Sequence, residues 1–262
     1  MAAPALDLFA PGTAPALALL GTRISGLVLI APTLSARTVP AKHRAVLVML
    51  LTALLAPVAI YSMQSPARIT PETMLAEMVI GFSLGLGAAV IVAGAEAAGE
   101  SIANQIGLSG AAILDPLNNT SVPALGQFMQ LVAVTLLLVS DLHLVLLDAL
   151  VASTRVAPLG EPIAIAGGLR VAADTASTLF ALGLRLAAPV MAVVLIGNVA
   201  LAVLGRAAPQ LQVLAVAFPL QIGLGLLALA ASLPYVLTWF SGWAGTYDAL
   251  TDRIMSAFLA GG

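Results

Sequence analysis

Apolar residues run through this chain in long blocks, and the length of the blocks is the first signal. Six stand out, each bounded by charge or by proline and glycine: Pro15–Ser35, Ala45–Met63, Glu77–Ala98, Phe128–Leu150, Thr175–Leu204 and Leu211–Phe240. Each matches or exceeds the roughly 20 residues an apolar helix needs to cross the hydrocarbon of a bilayer. A barrel strand would instead alternate apolar and polar residues over short segments. The pattern therefore predicts an all-α membrane protein of about six long apolar helices. Pro189 inside the fifth block, and Pro219 and Pro234 inside the sixth, predict bends that neighbouring helices must compensate. The link "GRAAPQ", residues 205–210, is short enough to make the last two blocks a tight antiparallel hairpin. Gly81 and Gly85 form a G-x-x-x-G pair, which predicts a close helix–helix crossing.

Composition agrees with the blocks. Of 262 residues, 61% are hydrophobic and 8% charged, where a soluble domain would be about a quarter charged. The net charge of −2 and the lack of a basic patch give no footing for nucleic acid. No cysteine is present, which excludes disulfides, thiolate catalysis and cysteine-ligated metal. The basic stretch with Arg37, Lys42 and Arg44 predicts a cytoplasmic loop by the positive-inside rule. Residues 1–14 read as a retained, frayed terminus, residues 15–240 as one helical membrane domain, and residues 241–262 as an amphipathic C-terminal tail.

Ionisable residues inside apolar helices are costly unless paired or hydrated, so each one is informative. Glu96 and Glu100 stand four apart with Asn104 a turn further and Gln105 beside it, a polar stripe that predicts a pore-facing or subunit-facing surface. Asp141, His143 and Asp148 at first suggest a proton relay. His143, however, points roughly 200° around the helix axis from Asp141, so one helix cannot couple them. Arg23 and Arg206 lie near block ends, where they can snorkel to water. Arg185 lies deep in its block and needs a carboxylate or carbonyl partner. Enzyme signatures are missing: there is no H-E-x-x-H, no G-K-[ST] phosphate loop and no G-x-S-x-G elbow. His43 and His143 make no metal site by spacing, and no cofactor is expected.

Between the third and fourth blocks lies "GLSGAAILDPLNNTSVPALG", residues 107–126. It is too broken for a helix and too apolar for an ordinary solvated loop. Gly107, Leu108, Ser109 and Gly110 give backbone freedom at one end. Asp115, Pro116, Asn118, Asn119 and Pro123 supply turns at the other. Non-helical backbone at membrane depth is tolerated only when protein buries it or it lines an aqueous cavity. A movable plug has these properties, and the alternative is a long exposed loop.

The segments "AGESIANQIGLSGAAILDP", "NTSVPALGQF", "SDLHLVLLDALVAS", "FALGLRLAAPVMA" and "LGRAAPQLQVLAVAFPLQIGLGL" occur in an order that resembles the FliR family of the flagellar export apparatus and its type III secretion relatives. Gln105 and Gly107 ahead of Asp115-Pro116, and Arg206 to Gln210, are the most specific pieces. Ser140 to His143, and Gln212, depart from the family's usual residues. The resemblance implies a non-enzymatic pore subunit of the bacterial inner membrane and flagellar basal body. It implies assembly with FliP-like and FliQ-like subunits, an FlhB-like subunit at the entrance, and unfolded export substrates in transit. It also implies that the loop after Gln105-x-Gly107 helps plug the closed channel. Arg185, Arg206, Pro209 and Gln210 then become subunit contacts. A proton- or ion-coupled small-molecule transporter is the alternative, which broken helices and buried charges would also suit.

Overall fold

The computed structural model describes residues 12–32, 34, 39–63, 67–108, 124–207 and 213–259. Among them the regular elements are helices: α1 (Thr13–Ile30), α2 (Ala41–Tyr61), α3 (Pro71–Gln105), α4 (Ala124–Val139), α5 (Leu142–Val156), α6 (Ile165–Arg185), α7 (Ala188–Ala207), α8 (Val213–Ser241) and α9 (Trp243–Leu259). Five are long and apolar enough to span a membrane: α1, α2, α3, α7 and the Pro219–Phe240 part of α8. Taken together, α4 and α5 make a sixth, bent span. The all-helical architecture expected from the apolar blocks is therefore present.

Two blocks expected as single helices are divided. The fourth turns by 65° between α4 and α5, because Asp141 adopts a left-handed conformation with φ 56°. Asp tolerates that region better than most residues, since its short side chain bonds locally. The Asp141 carbonyl then accepts the first amides of α5, from Leu144 and Val145. The fifth block breaks at Leu186 and Ala187, whose amides reach back only three residues to Gly183 and Leu184. Pro189 follows in the first turn of α7, where its missing N–H costs nothing. Arg185 consequently ends α6 and is exposed. It does not lie deep within a span, and a cation there complements the helix dipole.

The chain forms two compact units. The first comprises residues 1–90, 138–178 and 243–262. Its α1 and α3 cross at glycines: a Cβ on Gly81 would collide with the Arg23 carbonyl, and one on Gly26 would lie 2.9 Å from the Phe82 nitrogen. This is the close crossing that the G-x-x-x-G pair predicts.

That approach seats Arg23 at 0% exposure, contrary to the expectation that it snorkels. Its Nε donates to Glu77 Oε2 at 2.5 Å, Nη1 to Ser153 Oγ at 3.1 Å and Nη2 to the Ala157 carbonyl at 2.9 Å. Glu77 Oε1 accepts the Gly160 amide at 3.0 Å, and Gly160 presents that amide from φ 80°. Two buried charges are thus paired, and every nitrogen of the guanidinium and both oxygens of the carboxylate have a hydrogen-bond partner, the condition under which burial is tolerated. One arginine holds α1, α3, α5 and the segment after α5 together.

The C-terminal α9 belongs to this unit. Trp243, Tyr247, Thr251, Ile254, Met255 and Phe258 are buried along one side, while Asp248, Asp252 and Arg253 are exposed. Tyr247 donates its hydroxyl to the Leu84 carbonyl, and burial raises its phenol above the ordinary range. The Phe258 ring occupies the space a side chain at Gly168 would need. The Phe258 carbonyl accepts the Ala164 amide at 2.9 Å.

The second unit comprises residues 91–137 and 179–242. Within it α7 packs on α8, as the short link predicts, with Gln221 donating to Asn198 at 2.5 Å. A Cβ on Gly94 would come within 3.0 Å of Gly183 Cα, so two glycines make another backbone-to-backbone crossing.

Candidate functional site

The two roots of the 107–126 segment lie in the second unit. At the first root α3 ends as the sequence demands. Gly107 takes φ 80°, the Leu108 amide bonds the Ala103 carbonyl at 3.0 Å, and the Gly107 amide bonds the Asn104 carbonyl at 3.3 Å. These paired bonds satisfy the last carbonyls of a helix when a left-handed residue closes it, and glycine adopts that conformation without a Cβ penalty. At the second root α4 begins at Ala124, directly after Pro123, where a proline's missing amide leaves nothing unpaired. Ser109, Gly110, Asp115, Pro116, Asn118, Asn119 and Pro123 lie outside the described residues, as do Pro209 and Gln210.

Below the roots, α3 and α4 touch through glycines. A Cβ on Gly99 would meet the Leu125 carbonyl and Met129 Cγ at 2.7 Å, and one on Gly126 would meet Glu100 Cγ at 2.7 Å. An apolar cluster supports the contact: Ile102 and Ile106 from α3, Leu125 and Met129 from α4, Val190 and Val194 from α7, and Leu229 from α8. Ile106 fills the space left by Gly225. Burying an aliphatic side chain of this size contributes about 1.5–3 kcal/mol, so this cluster anchors both ends of the segment.

The polar stripe of α3 runs beside the same contact. Glu96 is half-buried and accepts a 3.0 Å bond from Gln130 of α4. Glu100 and Asn104 are exposed, and Gln105 is half-buried. Glu96 is therefore engaged within the chain, while Glu100 presents surface outward. Arg185 and Arg206 are exposed and have no ion-pair partner among the described residues. Asp141 and Asp148 are exposed as well.

Sequence reasoning missed three participants. Glu77 was read as a block boundary, whereas it is the buried counter-charge of Arg23. An acid in the first turns of an apolar helix was the available signal. Gln130 and Gly126 gave none, because their roles depend on how α4 lies against α3.

The sequence profile of the family described as "Bacterial export proteins, family 1" matches residues 14–246. The chain belongs to that family. It is 32% identical over 221 residues to the flagellar biosynthetic protein FliR of Escherichia coli, covering 82% of each chain. With FliR of Caulobacter vibrioides the identity is 30% over 242 residues, covering 90% of this chain and 94% of the relative. With FliR of Bacillus subtilis it is 29% over 232 residues, covering 86% of each. The match takes in both roots of the central segment, the Arg23 network and most of the apolar helices. This FliR-family chain is thus a membrane-embedded subunit of the flagellar type III export apparatus, and nothing favours the small-molecule transporter.

Proposed function

We propose that the chain is a non-enzymatic gating and structural subunit of the export channel in the bacterial inner membrane, and that the segment between α3 and α4 obstructs the lumen at rest; Ala124–Gly126, expected within that segment, are instead the first turn of α4. The observation that carries this reading is the construction of the roots. A left-handed glycine cap ends α3, a proline precedes α4, and a packed cluster fixes both. The two ends of the segment are thus packed through residues of α3, α4, α7 and α8. The glycines, asparagines and prolines between α3 and α4 suit a backbone that must occupy a pore and then leave it.

In this reading Glu100, Asn104 and Gln105 face the lumen or another subunit below the plug, with Glu96 holding α4 in register. Exposed Arg185 and Arg206, with Pro209 and Gln210, contact neighbouring subunits. Those neighbours are FliP-like and FliQ-like chains, with an FlhB-like chain at the entrance through which unfolded substrates arrive.

The test is to delete part of "SGAAILDPLNN" and measure ion conductance beside a pull-down of the co-expressed subunits. Assembly should persist while the membrane becomes leaky. Gly110→Pro, which stiffens the segment without removing it, should slow export and cause no leak. A deletion that abolishes assembly makes the segment structural, and one that changes neither property makes it an exposed linker.

A further inference from the structure

Helix α2 differs from every other apolar helix in what its surface offers. Only Ala56 and Ala59 are buried in it. Met49, Leu50 and Leu54 are 71%, 64% and 70% exposed. Between Val46 and Ile60 its one polar side chain is Thr52. That hydroxyl is already bonded to the Val48 carbonyl at 2.7 Å and lies against Gly21 of α1. The outward face therefore carries no hydrogen-bonding side chain, and its one backbone group without a helical partner is the Ala53 carbonyl, four residues before Pro57, a defect that membrane helices tolerate. The α7–α8 hairpin is equally apolar and also exposed, with Ile196 and Leu227 each at 70%. Unlike α2, it carries two half-buried amides, Asn198 and Gln221, in mid-helix. Their mutual bond leaves further donors and an acceptor unused, which hydrocarbon would penalise.

The ends of α2 are equally specific. Its 21 residues span about 30 Å at 1.5 Å per residue, the thickness of a bilayer's hydrocarbon core. Lys42 and His43 are exposed at the N-terminal end, and Arg44 is half-buried there, with its Nε and Nη2 donating to the Val39 carbonyl at 3.2 and 3.1 Å, which leaves its charge unneutralised. Cations at a helix N-terminus oppose the helix dipole, and the sequence has no acid from residue 31 to residue 63 to offset them. An external anion would satisfy that end. Tyr61, 86% exposed at the other end, is of the residue type that settles at membrane interfaces.

We infer that the outward face of α2 is seated in lipid acyl chains in the assembled apparatus, with Lys42 and Arg44 at the level of anionic headgroup phosphates. Length, charge and the wholly apolar side chains of the face all fit lipid.

The chain contains no cysteine, so single-cysteine variants carry a nitroxide cleanly. Met49→Cys, Leu50→Cys and Leu54→Cys are labelled in the apparatus co-purified with its partner subunits, in nanodiscs of phosphatidylethanolamine and phosphatidylglycerol. Power-saturation spectroscopy should give oxygen accessibility several-fold above that of a water-soluble nickel chelate at all three sites. An Ala45→Cys label, near the cationic end, should read about equally to both reagents. Ala56→Cys, at a buried position, should be shielded from both. Low accessibility to both reagents at any of the three sites would mean that another chain covers α2, and high accessibility to both would mean water. Either result overturns the inference, and an Ala45 label reading as deep hydrocarbon overturns the placement of the end. None of these outcomes depends on whether residues 107–126 form a plug.

Discussion

Arg23 and Glu77 in the first unit and Glu96 and Glu100 in the second show two ways of placing charge in an apolar chain. The first pair is buried at 0% and 2% exposure, and each partner has further hydrogen bonds. Nothing remains for an outside group to contact. In the second, one glutamate takes a single amide bond and the other stays exposed. Residual charge is left where the chain meets something else. A charge used for folding is one whose partners are all internal, and a charge available for assembly is one whose partners are not.

The largest effect should come from opening the closed constellation. Arg23→Ala leaves the Glu77 carboxyl group buried with only the Gly160 amide as a partner among the described residues, and breaking a buried pair from one side costs about 3–5 kcal/mol. We expect the chain to be lost to proteolysis in cells even when partner subunits are co-expressed. The double variant Arg23→Met with Glu77→Leu removes both charges and should recover much of the lost level. If Arg23→Ala accumulated normally, the pair would not be the staple of the first unit.

An intermediate effect is expected where the loop roots meet. Gly99→Val places side-chain atoms against the Leu125 carbonyl and Met129. Overpacking of this kind costs about 1–3 kcal/mol, more where backbone is struck. The melting temperature of the detergent-purified assembly should fall, and the pore should leak, because the roots separate. Glu96→Gln, which keeps the shape and can still accept from Gln130, should be much milder. Equal effects from the two variants would mean that charge, and not the glycine contact, positions the roots.

These particulars also show what was legible in the sequence. Apolar block length gave the all-helical membrane fold, since twenty apolar residues have few other stable arrangements in a chain this poor in charge. Gly107 and Pro123 marked the ends of α3 and α4 because backbone chemistry acts locally. The turn at Asp141 was hidden, as an aspartate in an apolar run can equally be a helix residue facing a partner. The Arg23–Glu77 pair was hidden for another reason. Its residues are 54 positions apart, and only the glycine crossing of α1 and α3 brings them together. Local signals marked where α3 ends and α4 begins, and packing decided which charges were spent internally.

The smallest effect on folding should belong to Arg206, and its smallness is the informative part. The residue is exposed in the last turn of α7, where it gains a few tenths of a kcal/mol to about 1 kcal/mol from the helix dipole. Arg206→Ala should therefore change the thermal stability of the purified chain by no more than about 1 kcal/mol. If the residue contacts a neighbouring subunit, the same variant should lower recovery of partner chains in a pull-down at low salt, while the closed membrane stays unleaky. Raising the salt should narrow the gap between variant and parent, because an exposed charge contact is screened within about 10 Å at 0.1 M ionic strength. A variant that assembled normally yet leaked ions would move Arg206 from the subunit surface to the lumen. A variant that failed to fold alone would return it to the class of Arg23, as a charge spent internally.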